Sequence, residues 1–223
     1  MTNKKSAKQY GLGEEIGSAV THGIGTLLSI VGLVLLILKA VEFAPEGFKA
    51  SYIVGFVIYG VSLIILYTSS TLYHALTNPL AKKVFGILDH NSIYVLIAGT
   101  YTAYCLTALR GPLGWTLFGV IWGLAILGIT FYSIFGSRMR KLSASTYIPM
   151  SLIIIFAGNT VKLNLTALSG SILSWYLLVI GGAFYIVGTG FYAMKKIKWT
   201  HFVWHFFVMA GSIFHFFSIY LMI

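Results

Sequence analysis

The chain has 223 residues, of which 58% are hydrophobic, 16% aromatic and only 9% charged, with a mean hydropathy of +0.88. Soluble domains are about 45–50% apolar and about 25% charged, so disorder and a solvated globular surface are both excluded. The formal charge of +10 comes without a basic stripe interleaved with exposed aromatics, which excludes nucleic acid as the partner, and the single cysteine, Cys105, excludes a disulfide framework or a cysteine-rich zinc module.

Met1–Tyr10 is polar, carries Lys4, Lys5 and Lys8, and lacks the apolar run and small-residue cleavage site of a signal peptide. Gly11–Gly17, with Glu14 and Glu15, reads as a short helix lying along the interface. Apolar stretches then fall at 18–38, 52–74, 88–109, 113–135, 145–161, 171–194 and 201–223. Crossing about 30 Å of hydrocarbon takes roughly 20 apolar residues as a helix, and all but the fifth stretch are long enough. The fifth contains Pro149 and Asn159, so a short or bent helix is expected there. Pro45, Pro79 and Pro112 all fall between stretches, where a helix breaker does no harm. The fold class is therefore all-α, a polytopic membrane protein built as a seven-transmembrane-helix bundle. Residues 1–17 form a cytoplasmic segment and 18–223 a single domain, without the internal repeat of inverted-repeat transporters.

Basic residues in short loops set orientation. With seven spans, Lys4, Lys5, Lys8, Lys82, Lys83, Arg138, Arg140, Lys141, Lys195, Lys196 and Lys198 share the side of the N-terminus. Only Lys39, Lys49, Arg110 and Lys162 lie opposite. The N-terminus is thus expected in the cytoplasm and the C-terminus outside, with the charge excess facing anionic inner-leaflet lipid.

Ionisable groups inside membrane helices cost about 2.5–3.5 kcal/mol each near the centre and default to a functional role. Asp89 is the only aspartate, and the six histidines are His22, His74, His90, His201, His205 and His215. His74 closes the second stretch, Asp89 opens the third, His201 and His205 open the seventh, and His22 lies early in the first. With alternating directions, these five share one depth near the cytoplasmic face. His201 and His205 stand four apart, so their imidazoles project from one helix face about 6 Å apart at Cβ, a spacing that suits two ligands of one zinc ion. The intervening Phe202, Val203 and Trp204 lack the glutamate of the zinc-peptidase motif. A third nitrogen from His74 would leave tetrahedral Zn²⁺ one open position, as catalytic sites require. Asp89 would orient or deprotonate water there, and Ser70, four residues before His74 on the same face, would donate to water or substrate. Isolated histidines near an interface also simply snorkel or bond a neighbouring helix. That plainer role suits His215, about 15 Å deeper than His205, and His90, which points about 100° away from Asp89. His22 is a candidate to support the ligands from behind. Gly119, Gly123 and Gly128 read as helix-packing residues, and Cys105 as an inert buried thiol.

Three blocks carry a resemblance: SSTLYHAL (Ser69–Leu76), LDHNSIYVLIAGTYTAYCL (Leu88–Leu106) and HFVWHFFVMAGSIFHFF (His201–Phe217). They are similar to the bacterial haemolysin III proteins, within the progestin and adipoQ receptor family that includes the adiponectin receptors. GEEIGSAVTHGIG (Gly13–Gly25) resembles the first helix of the same group. The chain departs at Ala103, where that family usually has proline. The resemblance implies seven helices with a cytoplasmic N-terminus, in the bacterial plasma membrane, and an inner-leaflet Zn²⁺ on His74, His201 and His205. It places Asp89 beside the metal through a water, and Ser70 as the serine of the Ser-x3-His pattern. Related alkaline ceramidases imply hydrolysis of a lipid amide, with membrane lipids as substrate or ligand. The bacterial branch was named for cytolysis, which implies a different activity, membrane permeabilisation or membrane homeostasis with a structural or signalling zinc. A protein-ligand receptor is disfavoured by the short outer loops.

Overall fold

The first helix, α1, runs uninterrupted over Leu12–Phe43, with Glu14 and Glu15 in its first turn, where the helix dipole favours acidic groups. The computed structural model describes residues 10–194 and 196–223. Lys4, Lys5, Lys8 and Lys195, used above for orientation, lie outside that range. Gly11–Gly17 is therefore not a separate interfacial helix. Glu14 and Glu15 are buried as part of α1, whose inner face repeats every three to four residues through Ser18, His22, Gly25, Ser29 and Gly32.

The second helix, α2 (Lys49–Ala75), follows a turn at Pro45. The third, α3 (Pro79–Leu106), is capped by Asn78, whose side-chain oxygen accepts the Leu80 and Ala81 amides at 3.0 and 3.1 Å. Pro79 sits at the first helical position, where its missing N–H costs nothing. The fourth, α4 (Pro112–Phe135), begins in the same way after Gly111, whose φ of 109° turns the chain back on itself.

The fifth stretch is broken as expected but not short. After a 3₁₀ turn at Gly136–Met139 come α5 (Arg140–Leu152), a second 3₁₀ turn at Ile153–Ala157, and α6 (Gly158–Ser169). Pro149 lies inside α5 and cannot donate to the helix ladder. The Tyr101 hydroxyl bridges the junction between α5 and the second 3₁₀ turn, accepting the Ile154 amide at 2.6 Å and donating to the Ser151 carbonyl at 2.9 Å. Tyr101→Phe is expected to leave both groups unpaired and cost about 1–3 kcal/mol, read as a lower melting temperature in detergent. An unchanged melting temperature would refute that bracing role. The last two helices are α7 (Leu173–Ala193) and α8 (Thr200–Tyr220).

Among the described residues the chain is all-helical, without strands. Six segments are long and apolar enough to cross a membrane: α1, α2, α4, the broken Ser145–Ser169 segment, α7 and α8. The exception is α3, not the fifth stretch. Lys82, Lys83, Asp89, His90 and Asn91 dilute its apolar character, and its second half is almost wholly buried.

Helices adjacent in sequence pack in pairs, and α8 returns against α1. Tyrosines tie the interior across them. Tyr67 donates to Ser212 Oγ at 2.7 Å, Tyr104 to Ser218 Oγ at 2.8 Å, and Ser218 to the Ser174 carbonyl at 2.6 Å. Tyr185 is also 2.7 Å from Ser212. These bonds join α2, α3, α7 and α8, the interhelical polar contact expected where apolar packing alone gives little specificity. Of the three glycines expected to pack, only Gly128 does so, against the Tyr94 ring. Gly119 and Gly123 face open space, because that side of α4 is exposed alongside Val120 and Leu124.

Candidate metal centre

One end of the bundle gathers the starts of α1, α3 and α8 and the end of α2. There His74, in the last turn of α2, meets His201 and His205, one turn apart at the start of α8. His74 and His205 are buried and His201 is half-buried. One nitrogen from each lies within 4.8 Å of the other two. The Nε2 atoms of His74 and His201 are 3.3 Å apart, as are those of His201 and His205.

That spacing fits a metal better than it fits mutual hydrogen bonding. Nitrogens 2.0–2.1 Å from a tetrahedral Zn²⁺ stand about 3.3–3.4 Å apart, whereas N–H donors prefer about 2.9–3.0 Å. A ring nitrogen has one proton or one lone pair, so three converging Nε2 atoms cannot satisfy one another in pairs. The donor set is three imidazoles, which suits zinc among common divalent ions.

His74 is held from behind. Its Nδ1–H donates to Glu15 Oε2 at 2.6 Å, and Lys82 Nζ donates to Glu15 Oε1 at 2.9 Å. The proton on Nδ1 leaves the Nε2 lone pair free to face the other two rings. This contact joins α1, α2 and α3. Sequence reading passed over Glu15 by assigning it to an interfacial segment. The signal for it was the polar stripe Glu15, Ser18, His22, at three- and four-residue spacing on one face of α1.

His22 stacks on His205, with ring centroids 3.7 Å apart and planes 19° from parallel. Both His22 ring nitrogens and Ser18 Oγ are buried without a hydrogen-bond partner among the described residues. Tyr10 stacks on His201 with centroids 4.4 Å apart, and its ring closes over the half-buried edge of the cluster. Ser70 is buried one turn before His74.

Asp89 lies outside the group of mutually close ligand atoms. It shares a face of α3 with Lys82 and Gly86, and that face meets Glu15 through Lys82 and the Tyr73 ring through Gly86. Its Oδ2 is 3.7 Å from His90 Nδ1. His90 packs between helices as expected: it bonds the Gly86 carbonyl at 2.9 Å, stacks on Tyr132 and lies 3.3 Å from the Tyr192 hydroxyl. His215 donates from Nε2 to the Leu178 carbonyl of α7 at 3.1 Å. Its ring occupies the space that a side chain at Gly181 would need. Cys105 is buried and free.

The family model described as haemolysin-III related matches residues 10–216. The chain is 45% identical to "Hemolysin-3" of Bacillus cereus over 98% of its own length and 96% of that protein. It is 46% identical to "Hemolysin-3 homolog" of Bacillus subtilis (strain 168), covering 94% of each chain. A more distant relative is the human "Monocyte to macrophage differentiation factor", 24% identical over 73% of this chain and 68% of that protein. The matched span holds every residue of the histidine cluster and of the Glu15–Lys82 contact behind it, so this multi-pass membrane protein belongs to the haemolysin-III-related family.

Proposed function

We propose that the chain is a seven-span, zinc-dependent hydrolase of membrane lipids, cleaving an amide or ester bond at the inner leaflet of the plasma membrane. The observation that carries this reading is the three-imidazole cluster, spaced at 3.3 Å and braced from behind by a carboxylate. In this reading α3 is the remaining span, the N-terminus is cytoplasmic and the C-terminus is outside, following the asymmetry of the basic residues.

His74, His201 and His205 would hold a zinc ion, which when bound would supply a Lewis acid able to make water nucleophilic near neutral pH. The chain's own groups do the rest. Asp89 would orient the attacking water, take its proton and pass it to the leaving amine or alcohol as the carbonyl C–N or C–O bond breaks. Ser70 donates to the oxygen that becomes negative at the scissile carbonyl. The apolar bundle keeps bulk water from competing and presents a lipid headgroup at the depth of the cluster.

The test uses purified protein in liposomes containing a panel of lipid amides and esters. Fatty acid release is expected from the zinc-loaded protein and background release from His201→Ala. Bound zinc without turnover across the panel would overturn catalysis.

A second reading rests on the name of the Bacillus cereus relative, "Hemolysin-3": permeabilisation of membranes, with zinc structural or signalling. A water-filled channel is lined with polar groups along its depth, whereas the buried carboxylates and histidines among the described residues, His215 apart, gather at one end of the bundle. Dye leakage from the same liposomes separates the two, since leakage that survives His201→Ala favours permeabilisation.

A further inference from the structure

His74, among the three candidate ligands, has a charged side chain behind it. His74 Nδ1 donates to Glu15 at 2.6 Å, a short bond of the charge-assisted kind. Glu15 is itself held on its second oxygen by Lys82. His205 Nδ1, by contrast, is buried without a hydrogen-bond partner among the described residues. His201 and His205 share one helix, four residues apart. His74 comes from another helix, and the bond from its Nδ1 to Glu15 settles which ring nitrogen faces the other two imidazoles.

We infer that Glu15 is the positioning residue of the metal centre, and that Lys82 completes it by fixing the Glu15 carboxylate. Glu15 locks His74 in the tautomer that presents the Nε2 lone pair and sets the ring's direction, as carboxylates behind metal-bound histidines do. Lys82 holds Glu15 from α3, and Asp89 lies seven residues further on the same face of that helix. The same ion pair that holds Glu15 thus ties α1 to the face of α3 on which Asp89 lies. Glu15 touches neither substrate nor metal. It acts through His74.

The inference rests on the metal reading of the three histidines but not on hydrolysis. It is tested by zinc affinity in detergent, measured by competition with a chelator, and by the visible spectrum of the cobalt(II)-substituted protein. Glu15→Ala is expected to weaken zinc binding about 10–100-fold and to alter the cobalt spectrum. Glu15→Gln keeps an oxygen that accepts from Nδ1–H, so it is expected to recover most of the affinity and the wild-type spectrum. Lys82→Met leaves the His74 contact in place and is expected to have a smaller effect than Glu15→Ala. Glu14→Ala, one residue away and about 100° round the same helix, is expected to bind as the wild type does and controls for damage to the helix. Wild-type affinity and spectrum in a folded Glu15→Ala protein would overturn the inference alone. Equal losses in Glu15→Ala, Glu15→Gln and Glu14→Ala would reduce Glu15 to a structural residue and also overturn it. A wild-type protein that takes up no zinc would overturn the metal reading together with it.

Discussion

Replacing His201 with alanine is expected to lower zinc affinity by about two to three orders of magnitude. Complete zinc sites in small peptides bind with about 10–16 kcal/mol. Divided among three or four ligands, that is about 3–4 kcal/mol for each, and every 1.4 kcal/mol is about tenfold. His201 is the apt choice because its Nε2 is 3.3 Å from both His74 and His205 and joins the two. It is also half-buried, so its removal disturbs packing less than loss of His205 would. Two measurements check it. Elemental analysis of the wild type should give one zinc per chain, with much less retained by His201→Ala and by His74→Ala. Zinc at about 100 times its dissociation constant should also stabilise the wild type by about 2.7 kcal/mol, visible as a rise in melting temperature that the variants lack. Variants that retain one zinc per chain after dialysis would remove these histidines from the site.

Gly114→Ala is expected to be the most damaging single methyl group added to the bundle. The α3–α4 connection is tight: the Leu109 amide bonds the Tyr104 carbonyl at 2.9 Å, and Gly111 reverses the chain at positive φ. Gly114 then packs directly on the end of α3. A Cβ there would collide with the carbonyl oxygens of Leu109 and Cys105. Both are backbone atoms, so no side chain can rotate away and the turn itself must move. Overpacking of this kind costs about 1–3 kcal/mol, or roughly 2–12 °C in melting temperature for a chain of this size. Gly119→Ala on the same helix meets nothing within 4 Å and should change stability by less than about 0.5 kcal/mol. Equal melting temperatures for the two variants would contradict the close approach at Gly114.

Much of the architecture was legible from hydropathy alone, because a segment in contact with lipid must be apolar and must satisfy its own backbone as a helix. The break in the fifth stretch was legible from Pro149, since an absent amide is a local property of the chain. What holds the following change from α-helix to 3₁₀ turn was not legible. The hydroxyl that bridges that junction belongs to Tyr101, about fifty positions earlier. The polar content of α3 sits at one end: Lys82, Lys83 and Asp89 lie in its first half, while its second half is mostly buried among its neighbours. Gly119 and Gly123 mislead, since small residues at helical spacing look alike whether they face a helix or lipid.

Residue order by itself determined that this chain is helical and membrane-embedded, and that His74, His201 and His205 share one depth, because burial in hydrocarbon and the rise of a helix depend only on local sequence. Which side chains meet at that depth was decided by tertiary structure alone. Glu15 reaches His74 and Lys82 across three helices, His22 lies flat against His205, and Asp89 stands outside the three-histidine group. Depth is one coordinate, set along each helix, whereas contact also needs the rotation of every helix about its axis and the order in which the helices pack.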